Sequence, residues 1–200
     1  LVTTRRASVT RKTGETDISA TIDLDGNGQY TIDTGNGMLD HLIAQLARHG
    51  LFDITIQASG DLETGWHHLV EDTAITLGRA FQEAIGEGKG IVRMAHAVVP
   101  LDESLVLVAV DINGRGHASI DVKLSSDMVE TLPGDLVSHF LESFATEGNI
   151  TLHIKLYAGT NSHHKAEATF KALARALRQA SEHDHRRGDD IPSTKGSIAG

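Results

Sequence analysis

The 200-residue chain contains no cysteine. That excludes disulfides and every thiolate metal site, so any metal it binds must be held by imidazole and carboxylate. Aromatic residues are scarce: one Trp, two Tyr and five Phe. They leave few platforms for stacking nucleic-acid bases. The formal charge of −9, with no basic stripe, argues against nucleic acid as a partner. No apolar run approaches the roughly 18 residues needed to cross a bilayer, so no membrane partner is expected. The segment LVTTRRASVTRKTGE lacks the apolar stretch of a signal peptide, which makes a cytoplasmic location the expectation. A glycosylation sequon at Asn149–Thr151 and an RGD triplet at 187–189 therefore read as incidental. What remains, 40% hydrophobic and 22% charged, is ordinary for a globular chain with a real core. The residue in excess is histidine, with 12 copies.

Period-two alternation predicts strands over 18–25, 53–59, 104–112, 118–124 and 150–157. Helical periodicity covers 38–49, 67–85, 133–146 and 163–182, with Gly50, Gly86 and Gly148 placed to cap three of these helices. DGNG at 25–28 and NGRG at 113–116 are turn signals that predict two hairpins.

The two halves of the chain repeat one another. DHLIAQLARHG, a strand and GWHHLVEDTAITLGRAF align with SHFLESFATEG, a strand and SHHKAEATFKALARAL. His41 precedes His67 by 26 residues and His139 precedes His163 by 24, a repeat of roughly 97 residues. The expected fold class is α+β: an internally duplicated two-layer unit with mixed sheets packed against helices. It forms one domain of two pseudo-repeats, about 1–90 and 91–186, followed by a polar tail at 187–200.

Each half carries a His-His-x-x-Glu phrase opening a helix. Positions i and i+4 share a helix face, so His67 with Glu71, and His163 with Glu167, each form a two-point clamp. His68 and His164 point about 100° away and require another centre. With His41 and His139 the set is six imidazoles and two carboxylates. Divided evenly, that is three His and one Glu for each of two ions, each half's odd histidine serving the other ion. Such sites suit Mn²⁺, Fe²⁺, Co²⁺ or Zn²⁺. His49, His96, His117, His153, His183 and His185 read as structural or solvated. Alternation places His153 on the polar, partly exposed face of its strand.

PSTKGS at 192–197 offers hydroxyls, an ammonium and a glycine amide in six residues, a small anion cradle without a Walker A spacing. Lys171 follows Glu167 by one helical turn. Arg93 and Arg115 flank the first long strand of the second half and present forked donors suited to phosphate.

These phrases together resemble the imidazoleglycerol-phosphate dehydratase family over essentially the whole chain. The matching segments are RKTGET (11–16), GNGMLDH (35–41), HHLVED (67–72), PLDES (100–104), VDINGR (110–115), NSHHKAEATFKALARAL (161–177) and PSTKG (192–196). The resemblance implies halves of the ribosomal protein S5 domain 2-like kind. It implies two Mn²⁺ per active site on His41, His67, His68, Glu71, His139, His163, His164 and Glu167, and Glu15 as the acid–base group. Gln45 then contacts substrate, while Arg93, Arg115, Lys171, Ser193 and Lys195 bind its phosphate. Trimers assembling into a 24-subunit shell, with sites between subunits, are implied as well. The expected reaction is loss of water from D-erythro-imidazoleglycerol phosphate to give imidazoleacetol phosphate in histidine biosynthesis, the ring held as an imidazolate by both metals. Gly65–Trp66, where the family carries an acidic residue before the histidine pair, and Gly116–His117 after Gly-Arg depart from the pattern. On the bare ligand set, a two-metal phosphoester hydrolase and a non-catalytic metal-scaffolded assembly stand as alternatives.

Overall fold

The computed structural model describes residues 5–60, 63–124 and 128–198. The first half runs β1 (Arg6–Lys12), β2 (Thr16–Asp23), β3 (Tyr30–Asp33), α1 (Gly37–Gly50), β4 (Asp53–Gly60) and α2 (His67–Ile85). The second runs β5 (Met94–Leu101), β6 (Ser104–Asp111), β7 (His117–Asp121), the two-residue pair β8 (Met128–Val129) and β9 (Leu132–Pro133), then α3 (Gly134–Glu147), β10 (Thr151–Ala158) and α4 (Ser162–Ser181). The two four-stranded sheets have the same topology, β1-β2-β4-β3 and β5-β6-β10-β7. In each, the third strand in sequence joins the edge parallel to the fourth and the other pairings are antiparallel. The duplication is therefore structural as well as sequential.

All four helices predicted from periodicity form, within a residue of the expected ends. The two predicted hairpins do not. β4 lies between β2 and β3, and β10 between β6 and β7, so DGNG and NGRG join strands that never pair. A tight primed turn needs its flanking strands to be sheet neighbours, and the parallel crossover through α1 or α3 takes that place. The hairpins that do form use Thr13–Glu15 and Asp102–Glu103. Strands β1, β3 and β5 escaped the sequence pattern; β1 and β5 are partly exposed on their inward face as well as outward, which weakens the alternation.

Two of the three glycine caps form: Gly86 caps α2 with φ 58° and ψ −128°, and Gly148 caps α3 with right-handed angles, while Gly50 is the last residue of α1 and Leu51 its cap. At the ends of α1 and α3 the left-handed residues are Leu51 and Asn149, one position after the glycine. Gly50 and Gly148 are instead required by space: a Cβ would lie 2.5 Å from the Phe52 ring or 2.8 Å from the Phe144 carbonyl oxygen.

Each sheet turns one face to the helices and the other outward, and His153 is exposed on the outer face as expected. Helices α2 and α4 cover the inner faces of the first and second sheets. Between them the halves interlock: α2 packs on α3, and α1 on α4. Phe81 meets Phe144 and Phe140 meets Phe170 in one hydrophobic cluster that runs through both halves. Gly78 makes the α2–α3 crossing close, since a Cβ there would sit 2.8 Å from the Phe144 carbonyl oxygen. No helix among the described residues is long and apolar enough to cross a membrane.

Candidate metal centres and anion cradle

The interlocking of helices decides which ligands meet. His41 lies one turn into α1, and α1 packs on α4, so His41 reaches the clamp of the opposite half. His41 Nε2 and His163 Nε2 each lie 3.1 Å from the same Glu167 oxygen. His139, on α3, likewise meets the α2 clamp. Its ring stacks on His67 with centroids 4.6 Å apart, and its Nε2 is 3.6 Å from Glu71, which is 3.9 Å from His67. Two clusters result, His41–His163–Glu167 and His67–Glu71–His139, each with one ligand atom per residue within 4.8 Å of the others.

The donor set fits a divalent ion. His139 Nε2 is buried and has no hydrogen-bond partner, which is costly unless a cation takes its lone pair. Glu130, on the β8–β9 turn, lies 3.2 Å from Nδ1 of His163. With an ion bound, a hydrogen bond accepted there would leave Nε2 unprotonated for the metal; in the metal-free chain the same Nε2 donates to Glu167. Burial pushes the Glu167 carboxyl up, yet hydrogen bonds from Lys171, His41 and His163 outweigh it and hold the group down to about 2. It is therefore a carboxylate at any physiological pH.

His68 and His164 join neither cluster. The expected even division, three His and one Glu per ion, is not formed within one chain; each cluster holds two His and one Glu. Nδ1 of His68 is 3.4 Å from Glu15 on the β1–β2 hairpin, and Nδ1 of His164 is 2.7 Å from Glu103 on the β5–β6 hairpin. The His164 contact, then the backbone N–H of Asn161, holds the Glu103 carboxyl well below its usual range, and His164 is raised in turn. The roughly 100° between successive helical residues sends His68 and His164 to the β1–β2 and β5–β6 hairpins, away from the clusters that His67 and His163 join.

A buried ion pair fixes the Glu15 hairpin over α2. Arg11 donates from Nε to Asp72 at 2.7 Å, and the Thr16 hydroxyl donates to the other Asp72 oxygen. Gly65–Trp66 leaves α2 without a side-chain N-cap; Trp66 instead packs against the core. Gly116 is required by contact, since a Cβ there would lie 2.5 Å from the Thr146 carbonyl oxygen.

Arg93, Arg115, Ser193 and Lys195 line one cavity of about 160 Å³, so four of the five proposed phosphate groups converge. Arg93 also anchors the tail, donating to Asp111 at 2.7 and 3.1 Å and to the Pro192 carbonyl at 2.7 Å. Lys171 is not in this cavity. It pairs with Glu167 at 2.7 Å, and Gln45 reaches to within 3.4 Å of His41. The six other histidines fall outside both clusters among the described residues. Glu103 and Glu130 escaped the sequence reading. Glu103 was legible only by aligning the two hairpins, and Glu130 carries no sequence signal, sitting on a two-residue strand pair at φ 53°.

A duplicated α+β chain with two imidazole–carboxylate clusters that could hold metal ions at its helix starts, and a cationic cradle at their far ends, has the groups of an enzyme for a small anionic substrate. The family model for imidazoleglycerol-phosphate dehydratase matches residues 34–177. An imidazoleglycerol-phosphate dehydratase of Dehalococcoides mccartyi (strain 195) is 55% identical over 197 residues, covering 98% of this chain and 99% of that protein. One of Dinoroseobacter shibae is 51% identical, over 97% and 100%. The crystal structure of the Pyrococcus furiosus protein in complex with (S)-C348 superposes with a TM-score of 0.80 at 37% identity, covering 94% of this chain and 99% of that one. The Staphylococcus aureus N315 structure gives 0.81 at 34%, over 90% and 99%. The chain belongs to the imidazoleglycerol-phosphate dehydratase family and is an enzyme of the hydro-lyase class.

Proposed function

We propose that the enzyme removes water from D-erythro-imidazoleglycerol phosphate to give imidazoleacetol phosphate, a step of histidine biosynthesis, with one divalent ion, Mn²⁺ by preference, at each cluster. The observation that carries this reading is the pair of clusters, each built from both halves and each with a buried or oriented imidazole nitrogen in need of a cation. Each holds one carboxylate, and none is shared between the two. That imidazole-rich set suits a nitrogen heterocycle better than the carboxylate-bridged arrangement of a phosphoester hydrolase.

The geometry also supports an active site shared between copies of the chain. The clusters sit at the N-terminal ends of α2 and α4. The cradle lies by their C-terminal ends, where Arg93 N–H bonds the Ala180 carbonyl and the cradle's Ile198 also lies beside Ile85. Helix α2 has 19 residues, so at about 1.5 Å per residue the two sites of one chain are roughly 28 Å apart. Three carbons separate ring from phosphate in the substrate, which cannot span that gap. His68 and His164, which join neither cluster of their own chain, then serve as ligands to the clusters of neighbouring copies. Trimers combined into a 24-subunit shell are the assembly we favour, and bound metal stabilises it by mass action.

In this site, metal ions supply Lewis acidity that stabilises negative charge on the substrate ring. Arg115, Ser193 and Lys195, oriented by the Arg93-anchored tail, grip the phosphate and place the glycerol chain. Lys171 keeps Glu167 ionised, and Gln45 offers a hydrogen bond beside His41. Glu15, exposed and held by no backbone N–H among the described residues, moves the proton. It takes a proton from the carbon next to the one that loses its hydroxyl and returns a proton to the latter as the enol becomes the ketone. The enol O–H proton leaves with the hydroxide as water.

Co-assembly of two impaired variants, assayed at substrate far below the KM of Lys195→Ala so that neither alone turns over measurably, tests the reading. Glu167→Ala removes a cluster and Lys195→Ala the cradle. If clusters and cradles meet across chains, mixed particles contain intact sites and regain turnover, read as absorbance of the enolised ketone product. Silence of the mixture, with both variants assembled, refutes the shared site. Release of inorganic phosphate by the wild-type enzyme would point to a hydrolase instead.

A further inference from the structure

The duplication offers an internal comparison. Strands β1 and β2 superimpose in register on β5 and β6 at an offset of 88 residues: Lys12 pairs with Asp17, and Pro100 with Leu105. That offset carries Glu15 onto Glu103. The 96-residue offset of the helices carries His68 onto His164. Each glutamate touches the second histidine of its own half, so the two pairs are the same construction made twice.

They have since diverged. Glu15 approaches His68 only to 3.4 Å, and no backbone N–H among the described residues holds its carboxylate. Glu103 is clamped. Its Oε1 accepts the backbone N–H groups of Asn161 at 2.9 Å and Thr160 at 3.2 Å, with the Ser104 hydroxyl at 3.2 Å. Its Oε2 is 2.7 Å from His164 Nδ1. Among the described residues the other ring nitrogen, Nε2, has the Asp102 carboxylate as its nearest charged neighbour, 3.7 Å away and beyond hydrogen-bond length.

We propose that Glu103 is the positioning residue of His164: it fixes the ring and holds the proton on Nδ1, presenting Nε2 to a metal. This rests on the reading of His164 as a metal ligand. A carboxylate that accepts Nδ1–H fixes the tautomer and raises the basicity of the opposite nitrogen. The four contacts on Glu103 make it unfit to shuttle protons, while its looser twin Glu15 keeps that freedom. One ancestral glutamate has become a brace in one half and an acid–base group in the other.

The substitution Glu103→Gln discriminates sharply. Its carbonyl can still accept from Thr160 and Asn161, so the loop before α4 stays anchored. Its amide then donates to His164 Nδ1, which forces the ring proton onto Nε2 and blocks the metal-facing lone pair. Metal-stripped full-length protein is titrated with Mn²⁺ by calorimetry, with free Mn²⁺ counted by electron paramagnetic resonance. Wild-type protein should take up two ions per chain. Glu103→Gln should hold one of them about 10- to 100-fold more weakly, the range for loss of such an outer partner. Glu15→Gln should bind both ions as wild type does and lose turnover. Glu103→Asp, which retracts the carboxylate from the ring, should show the same one-site loss and covers the case of a Gln variant that misfolds. Unchanged affinity in both Glu103 variants, or equal weakening of both ions, overturns the proposal while leaving the metal reading intact. A wild-type protein that takes up no Mn²⁺ overturns both.

Discussion

The Arg11–Asp72 pair is a buried interaction whose replacement the chain itself supplies. Asp72 is 6% exposed and the Arg11 side chain 29% exposed, and they meet at 2.7 Å. The equivalent positions of the second half are Val99 and Ala168, 9% and 0% exposed, on the same strand and helix faces. Replacing Arg11 by Val alone strands a buried carboxylate with the Thr16 hydroxyl as its main donor. The cost should be about 3 kcal/mol, the low end for a broken buried pair because water reaches the Arg11 side. Asp72→Ala alone frees a guanidinium that can turn toward solvent and should cost about 1.5 kcal/mol. The double variant Arg11→Val with Asp72→Ala copies the second half. Thr16 keeps its contact with the Thr13 hydroxyl at 3.1 Å, and the net change should be within about 1 kcal/mol of zero. At about 2–4 °C per kcal/mol for a chain of this size, Arg11→Val should lower Tm by about 6–12 °C and the double variant by little. Thermal unfolding of metal-stripped protein followed by circular dichroism reads all three. Additive losses, with the double variant the least stable, would refute the argument that the twin half shows an equivalent apolar solution.

Titrating metal-free protein and following the Glu167 carboxyl by NMR should give a midpoint near 2. Because that pKa is depressed on folding, its stabilisation is complete above the unfolded value near 4.3 and is lost as pH falls towards 2; Glu167→Gln should flatten the acid limb of stability. In the metal-loaded protein release comes earlier, since imidazole ligands must be neutral: mild acid or EDTA should release the ions and lower the sedimentation coefficient together. Gly78→Ala, which drives a methyl against the Phe144 carbonyl, should destabilise by about 1–3 kcal/mol in chemical denaturation. Arg115→Ala or Lys195→Ala should raise KM more than it lowers kcat, as loss of uniform phosphate binding requires; a pure kcat effect would remove both from the cradle.

The helices and their apolar faces were readable directly, because periodicity near 3.6 and i,i+4 spacing are properties of local chain geometry. So were the kinds of ligand, since a chain without cysteine has only imidazole and carboxylate to offer, and so was the duplication. Sheet order was not readable. DGNG looks like a hairpin at the level of four residues, but whether β4 inserts between β2 and β3 is settled by the parallel crossover, which involves residues twenty or more positions away. The edge strands β1 and β5 were hidden for the same reason: partial burial on the inward face weakens the alternation that betrays a strand.

Sequence alone thus determined the inventory: two clamps, two further helical histidines, the second histidine of each pair, and a polar tail with an anion cradle. Tertiary structure decided the assignments. It sent His41 to the clamp of the other half, because α1 packs on α4 and not on α2. It kept His68 and His164 out of both clusters, and it put the cradle a helix length from those clusters. Spacing along a helix is fixed by the backbone, whereas the partner of a helix is fixed by which apolar faces bury one another. Only the folded chain makes that choice.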